Sequence, residues 1–183
     1  MIGLENVTAG YGERKVLDHL SLALAERGIT VLTGPSGEGK TTVLRLLAGL
    51  ERPWSGRVSP ARQPAVLFQE SRLFPGRTVA QHLTDLLPAG RWGEVSRWLA
   101  LADLTGEEET LPAELSGGMA RRLALVRALA LGGDCLLLDE PFTGIDRERR
   151  EVYLELLARW PVPVLLITHD PAETLRAARV IQL

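Results

Sequence analysis

Residues 34–41 carry the most specific pattern in the chain, Gly34-Pro35-Ser36-Gly37-Glu38-Gly39-Lys40-Thr41. They match G-x-x-x-x-G-K-[ST], a phosphate-binding loop that joins a strand to a helix. The glycines allow backbone N–H groups to turn inward around phosphate oxygens, and the helix start adds a partial positive charge. We expect Lys40 to neutralise the β- and γ-phosphates of a nucleotide and the Thr41 hydroxyl to bind Mg²⁺. All of these residues and the following Thr42 are predicted to contact the nucleotide.

Four short apolar runs each end in a polar or glycine-rich element. The runs are 29–33, 65–68, 135–138 and 164–168. Continuous apolar runs of this length indicate strands that are buried on both faces, as in parallel sheets. Ligands of open α/β sheets bind beyond the carboxyl ends of such strands. The polar residues that follow these runs are therefore predicted to converge on one site.

Asp139 and Glu140 follow the third apolar run directly. A carboxylate at the first position would hold Mg²⁺ directly or through water. The second carboxylate would orient and deprotonate an attacking water. The alternative is an exposed acidic pair at a strand end with no chemical role.

Helical patterns occupy the segments between the strands. Apolar residues recur at helical spacing in 41–50, 116–131 and 147–159. Ser116 is the predicted N-cap of the second of these helices. Two weaker helical patterns, in 78–87 and 92–101, are interrupted and flanked by proline and glycine.

A single α/β domain accounts for these elements. Residues 1–69 and 116–183 form the predicted α/β core, in which 2–7 and 16–25 belong to a small antiparallel sheet. Residues 70–115 show no buried strand and form a predicted helical lobe that is inserted into the core. The predicted fold class is α/β, a P-loop NTPase core with a mainly parallel sheet, a small N-terminal antiparallel sheet and an inserted helical lobe.

The composition describes an ordinary soluble domain without a strong charge bias. The chain has 183 residues, 45% of them hydrophobic, and its net charge of −2 argues against a nucleic-acid partner. Cys135 is the only cysteine, which indicates a reducing compartment. No apolar run approaches the roughly 18–20 residues of a membrane span. We therefore expect a chain that is soluble when isolated.

Further motifs make the chain resemble the ATP-binding subunit of an ABC transporter over nearly its full length. Leu115-Ser116-Gly117-Gly118-Met119 is similar to the family signature, and the loop at 34–41 and Asp139-Glu140 are similar to its two Walker motifs. The remaining family elements are matched by Tyr11 (A-loop), Gln69 (Q-loop), Asp146 (D-loop) and His169 (H-loop). Together these elements follow the order of the family, which makes the resemblance specific.

The resemblance implies that the chain is an ATPase that uses ATP and Mg²⁺. It implies that Glu140 is the general base, that His169 contacts the γ-phosphate and the attacking water, and that Gln69 senses the metal and the water. Tyr11 is expected to stack on adenine. The alternatives are a turn aromatic for Tyr11, a structural histidine for His169 and a surface amide for Gln69. The implied magnesium ligands are Thr41, Gln69 and Asp139.

The signature also suggests a second subunit. Ser116-Gly117-Gly118 begins a predicted helix and therefore forms a second anion site, although one ATP in one chain does not need two. The resemblance implies that two subunits, two copies of this chain or this chain and a homologue, hold two ATPs head to tail. Each site would pair one subunit's phosphate loop with the other's signature. Met119 replaces the family's usual glutamine, and the loss of one hydrogen bond is expected to weaken closure by roughly 0.5–1.5 kcal/mol.

The segment after Gln69 narrows the class of transporter. Residues 68–75, followed by Thr78-Val79, resemble the importer class whose members take up nitrate, sulfonates, taurine or thiamine-type precursors. The implied partners are an integral membrane permease, whose coupling helix we expect at Leu73 and Phe74, and a solute-binding protein. The implied location is peripheral, at the cytoplasmic face of the inner membrane.

Two segments are shorter than is usual in the family. The stretch between Lys40 and Gln69 is short, so we expect a trimmed antiparallel sheet. Only fourteen residues follow His169, so we expect a short form without a regulatory domain.

Two alternatives from other classes stay open. Soluble ABC ATPases of DNA repair or translation usually carry tandem cassettes or long coiled-coil insertions, and this chain has neither. A P-loop kinase that phosphorylates a small molecule would not need Ser116-Gly117-Gly118 or His169. An exporter half is a further alternative, but exporters usually fuse the cassette to membrane helices.

Overall fold

The computed structural model describes residues 1–183. It contains eight strands and six α-helices. The strands are β1 (Gly3–Tyr11), β2 (Arg14–Ala23), β3 (Ile29–Thr33), β4 (Ser55–Ser59), β5 (Pro64–Leu67), β6 (Cys135–Asp139), β7 (Val164–Ile167) and β8 (Arg179–Gln182). The helices are α1 (Lys40–Leu47), α2 (Gln81–Thr84), α3 (Val95–Ala102), α4 (Gly117–Leu131), α5 (Arg147–Ala158) and α6 (Pro171–Thr174). Short 3-10 helices cover Ala89–Glu94 and Pro112–Glu114. No helix has the length and apolarity of a membrane span.

Five parallel strands form the central sheet in the order β5-β6-β7-β3-β8. Successive side chains of a strand point to opposite faces, so each apolar run contributes to two cores. On β6, Leu136 and Leu138 pack with α3, α4 and α5, whereas Cys135 and Leu137 pack with α1 and the antiparallel strands. The fold class that the sequence predicts is confirmed, including strands that are buried on both faces.

Cys135 lies within the core that packs against α1. Its side chain is completely buried. Burial raises the pKa of the Cys135 thiol to about 12, because the charged thiolate is poorly solvated there. The thiol therefore acts as a small core residue.

The antiparallel sheet has three strands in the order β2-β1-β4. The sequence predicts only two of them, because β4 (Ser-Gly-Arg-Val-Ser) is polar and mostly exposed. Residues 4, 7 and 9 of β1 face inward and pack on α1. The sheet thereby covers the same side of the parallel sheet as the helix that follows the phosphate loop.

Residues 70–115 contain short helices and no strand. Helix α2 is shorter than the predicted 78–87. Thr78 and Gln81 exchange two hydrogen bonds at its start. The Thr78 amide donates to Gln81 Oε1 at 3.0 Å, and the Gln81 amide donates to Thr78 Oγ1 at 3.4 Å. His82 is buried between Phe74 and Thr78. Its Nε2 accepts from the Phe74 amide at 2.8 Å and its Nδ1 donates to the Thr78 carbonyl at 2.8 Å.

Candidate functional site

A cavity of about 510 Å³ opens where β3, β5 and β6 end. Thirteen residues line it, and the sequence predicts ten of them, Tyr11, Ser36, Gly37, Gly39, Lys40, Thr41, Thr42, Gln69, Asp139 and Glu140. Since β5 and β6 are neighbours in the sheet, Gln69 and the Asp139-Glu140 pair meet across adjacent strand ends. The cavity is polar and lies beside a helix N-terminus, which suits a phosphorylated ligand.

The phosphate loop wraps the N-terminus of α1. Gly39 precedes the helix with a φ of 97°, a left-handed conformation that favours glycine. A Cβ at this position would lie 2.6 Å from Leu17 and 2.8 Å from Val16, so a larger residue would push the loop from the antiparallel sheet. Lys40 Nζ donates to the carbonyls of Gly34 and Pro35, both at 2.7 Å. The ammonium group is thereby held across the loop that would cradle phosphates.

Thr41 and Asp139 join the loop to the end of β6. Thr41 Oγ1 donates to Asp139 Oδ2 at 2.8 Å, and the Asp139 side chain is nearly fully buried. Burial raises the pKa of the Asp139 carboxyl, while the Thr41 hydrogen bond opposes that shift. A hydroxyl and a carboxylate are hard oxygen donors of the kind that Mg²⁺ accepts. No group of three or more His, Cys, Asp or Glu side chains forms a separate metal cluster in the chain.

Glu140 lies at the rim of the cavity and contacts His169. Glu140 Oε1 is 2.8 Å from His169 Nδ1, although the two residues are 29 positions apart. This hydrogen bond raises the pKa of His169, and the negative charge of Glu140 raises it further. The Glu140 amide donates to the Ile167 carbonyl at 2.9 Å, which ties the end of β6 to the end of β7. The His169 side chain is 78% exposed and does not line the cavity itself.

Tyr11 enters the cavity from the end of β1. Its hydroxyl lies 3.3 Å from Thr42 Oγ1 and accepts from Arg45 Nη1 at 3.4 Å. The residue remains 43% exposed, so its ring is accessible at the cavity mouth. Three further lining residues are missed by the sequence motifs, Arg14, Val16 and Arg45. Of these three, only Arg45 could have been predicted from the sequence to lie at the cavity, because it lies one turn after Thr41 on α1.

The signature residues lie outside this cavity. Ser116 is the N-cap of α4, and its Oγ accepts from the Met119 amide at 3.2 Å. A Cβ on Gly118 would lie 2.8 Å from the Gly144 carbonyl, so the signature helix and the segment before α5 approach closely. Asp146 caps α5 through a 3.0 Å bond from the Arg149 amide. The structure therefore brings the Walker motifs and Gln69 together but leaves Ser116, Gly117, Gly118, Met119 and Asp146 apart from them.

Comparison with known proteins defines the family. The model of the ABC transporter family matches residues 17–143. The chain belongs to the ABC transporter family. An aliphatic sulfonates import ATP-binding protein of Paraburkholderia xenovorans (strain LB400) is 42% identical over 183 residues, which cover 97% of this chain and 74% of that protein. The corresponding protein of Nocardia farcinica (strain IFM 10152) is 40% identical, with 100% of this chain and 77% of that protein covered.

A solved ABC structure has the same fold. The dimeric ATP-binding cassette MJ0796, in a post-hydrolysis state bound to ADP and Pi, superposes with a TM-score of 0.86 at 26% identity. The match covers 100% of this chain and 94% of that one. The predicted family is confirmed, as is the predicted ATP-binding and ATP-hydrolysing subunit of an ABC transporter. The prediction of an importer-type subunit agrees with the names of the relatives, which are import proteins.

Proposed function

We propose that this chain powers the import of aliphatic sulfonates through a membrane permease. The observation that carries the proposal is the agreement among eight relatives, all named aliphatic sulfonates import ATP-binding proteins. Their identities to this chain range from 40% to 43%, and each match covers at least 92% of it. The match therefore includes both the nucleotide cavity and the helical lobe. The sequence features at 68–79 support the same class of importer.

Four side chains at or beside the cavity are proposed to carry out hydrolysis. Lys40 neutralises the β- and γ-phosphates as the loop amides bind them. Glu140 accepts the proton of a water that attacks the γ-phosphorus, and the bond between that phosphorus and the ADP oxygen breaks. His169 contacts the transferred phosphate and orients Glu140 through the 2.8 Å contact. Gln69, at the end of the neighbouring strand, contacts the water.

The donors near the loop suit a magnesium ion bound together with ATP. Thr41 and Asp139 supply a hydroxyl and a carboxylate 2.8 Å apart, and Gln69 supplies an amide oxygen from the same cavity wall. Mg²⁺ usually keeps several waters and binds through one or two protein groups plus phosphates. When bound, the ion would neutralise phosphate charge. Tyr11 is proposed to stack on adenine from the cavity mouth.

Two copies of the chain would complete two ATP sites. Ser116, Gly117, Gly118 and Met119 begin α4 outside the cavity, where they are free to face the ATP of a second subunit. The D-loop residue Asp146 begins α5 beside them. An isologous contact by two-fold symmetry forms both sites at once. ATP binding would close this dimer, and hydrolysis would open it again.

The permease is proposed to dock beside α2. Phe74 is 61% exposed there, whereas Leu73 packs partly against the core. Phe74 is therefore the stronger candidate anchor of the two. The assembly would lie at the cytoplasmic face of the inner membrane, with a solute-binding protein on the other side.

A transport assay tests the proposal. The chain is co-purified with its permease from native membranes, using Glu140→Gln to hold the complex, and the wild-type complex is then reconstituted in vesicles with ATP and Mg²⁺. We expect ATP-dependent uptake of a short alkanesulfonate together with its solute-binding protein. Lys40→Ala should abolish uptake, and nitrate serves as the competing substrate. Uptake of nitrate without the sulfonate, or capture of nucleic acid in place of a permease, would contradict the proposal.

A further inference from the structure

Arg121, on the second turn of α4, is buried without an acidic side chain bonded to it. The residue is only 4% exposed. A guanidinium group carries five N–H donors, and each of the five Arg121 bonds goes to a different main-chain carbonyl. The Nε bond is 3.2 Å long, and the four Nη bonds are 2.6–2.9 Å long. The accepting carbonyls belong to Phe68, Gln69, Asp139, Glu140 and Pro141.

These carbonyls come from the two strand ends that meet at the cavity. Two belong to the segment after β5 that contains Gln69, and three are consecutive at the end of β6, where Glu140 lies. One side chain therefore ties the glutamine and the glutamate to each other. It also ties both to α4, the helix that begins with the signature.

The backbone of Glu140 needs such a constraint. Its φ is 49°, a left-handed conformation that is unfavourable for a non-glycine residue and persists only where the surroundings enforce it. Arg121 binds the Glu140 carbonyl and the carbonyls on both sides of it. The conformation directs the Glu140 carboxylate toward His169, 2.8 Å away.

We propose that Arg121 is a positioning residue for ATP hydrolysis, which fixes Glu140 and Gln69 through their main-chain carbonyls. The inference rests on the proposed role of Glu140 as the general base. Arg121 does not line the cavity, so its effect falls on the geometry of hydrolysis and not on ATP binding. Lysine has only three donors on one nitrogen, so it cannot reproduce the fork that spans both strand ends.

Arg127 provides a matched control on the same helix. Its two bonds, 3.2 and 3.3 Å long, go to the carbonyls of Arg72 and Ser71, which lie beyond Gln69. It makes no bond to the end of β6. Replacing Arg127 thus removes a half-buried guanidinium from α4 without touching the two residues that Arg121 positions.

The test compares Arg121→Lys and Arg121→Gln with Arg127→Lys in steady-state ATP hydrolysis and in binding of a fluorescent ATP analogue. We expect both Arg121 variants to lose about 10- to 100-fold in kcat, because displacement of a catalytic group by about 1 Å has effects of this size. Analogue binding should stay within about threefold, since the phosphate loop is unchanged. Arg127→Lys should keep kcat within about twofold of the wild type.

A double variant separates this inference from the assignment of Glu140. If Arg121 acts through Glu140 and Gln69, adding Arg121→Lys to Glu140→Gln lowers kcat by a smaller factor than adding it to the wild type, because one of the two groups that Arg121 positions is already disabled. Wild-type kcat in Arg121→Lys, with Glu140→Gln inactive, would overturn the positioning role alone. Near-wild-type kcat in Glu140→Gln would overturn the proposed base itself. Loss of analogue binding in both Arg121 variants would identify Arg121 as a packing residue and also overturn the inference.

Discussion

The chain has two glycine-rich helix starts, and they differ in what surrounds them. The N-terminus of α1 faces a cavity lined by Lys40, Thr41, Asp139 and other residues of the same chain. The N-terminus of α4 lines no part of that cavity, and its cap, Ser116, is occupied by its own helix. The first site combines backbone N–H groups with the Lys40 ammonium and the Thr41 hydroxyl, which can bind phosphate and its metal ion. The second site has only N–H groups and the helix dipole. The comparison teaches that the α4 site requires a ligand held elsewhere, which supports a head-to-tail dimer.

Glu140→Gln is expected to have the largest effect. That effect should be confined to ATP hydrolysis in the cavity. Removing the proton acceptor should lower kcat by about 10³-fold, because general bases contribute 10²- to 10⁴-fold. ATP binding should persist, since the loop is intact. Single-turnover hydrolysis and equilibrium binding measure the two quantities. The exposed Glu26→Gln is the control, and a Glu140→Gln enzyme with near-wild-type turnover would exclude Glu140 as the base.

Lys40→Ala is expected to weaken the binding of ATP in the cavity. The loss of a charge-assisted bond to phosphate should weaken ATP binding by roughly 10- to 100-fold. The chain contains one other lysine, Lys15, which pairs with Asp18 on the surface and provides the matched control. Isothermal titration with ATP and Mg²⁺ measures the affinities. Equal affinities for Lys40→Ala and Lys15→Ala would show that the loop lysine does not contact the nucleotide.

Phe74→Asp is expected to weaken docking of the permease on the helical lobe without changing the nucleotide cavity. Placing a charge on a 61% exposed anchor should lower uptake by about tenfold, whereas ATP hydrolysis by the isolated chain stays within twofold. Leu50→Asp is a control of similar exposure, 59%, just after α1 and outside the helical lobe. Proteoliposome uptake and soluble ATPase rates are compared for both variants. A parallel loss of hydrolysis and uptake in Phe74→Asp would mean that the lobe is damaged.

The smallest expected effect concerns the ionisation of His169. Glu140 raises the pKa of His169 by its hydrogen bond and its charge, so Glu140→Gln should lower that pKa toward the ordinary histidine value. Because the folded-state pKa is raised, the pair stabilises the fold fully below the ordinary histidine pKa. This contribution is lost as the pH rises through the raised value. NMR titration of the His169 ring, assigned with His169→Asn, measures the shift; an unchanged pKa would argue against the contact in solution.

Much of the nucleotide cavity is predictable from the sequence, because it is assembled from a contiguous loop and from residues next to apolar runs. β4 and β8 are missed because they are short edge strands without a long apolar run: β4 is polar, and β8 has only two apolar residues, Val180 and Ile181. Arg121 is missed for a different reason. An arginine in a helix is ordinarily expected at the surface, and only the tertiary structure brings five carbonyls around its guanidinium.

The pairing of the two helix starts across a dimer is tested most directly by mixing two inactive variants. Lys40→Ala disables the phosphate loop, and Ser116→Glu places a negative charge where the signature would meet phosphate. In a head-to-tail dimer, each mixed pair keeps one intact site, formed by the wild-type loop of one subunit and the wild-type signature of the other. Equal mixing should restore about a quarter of wild-type ATP hydrolysis, since half of the dimers are mixed and each has one of two sites. A mixture that stays as inactive as its separate components would contradict the account.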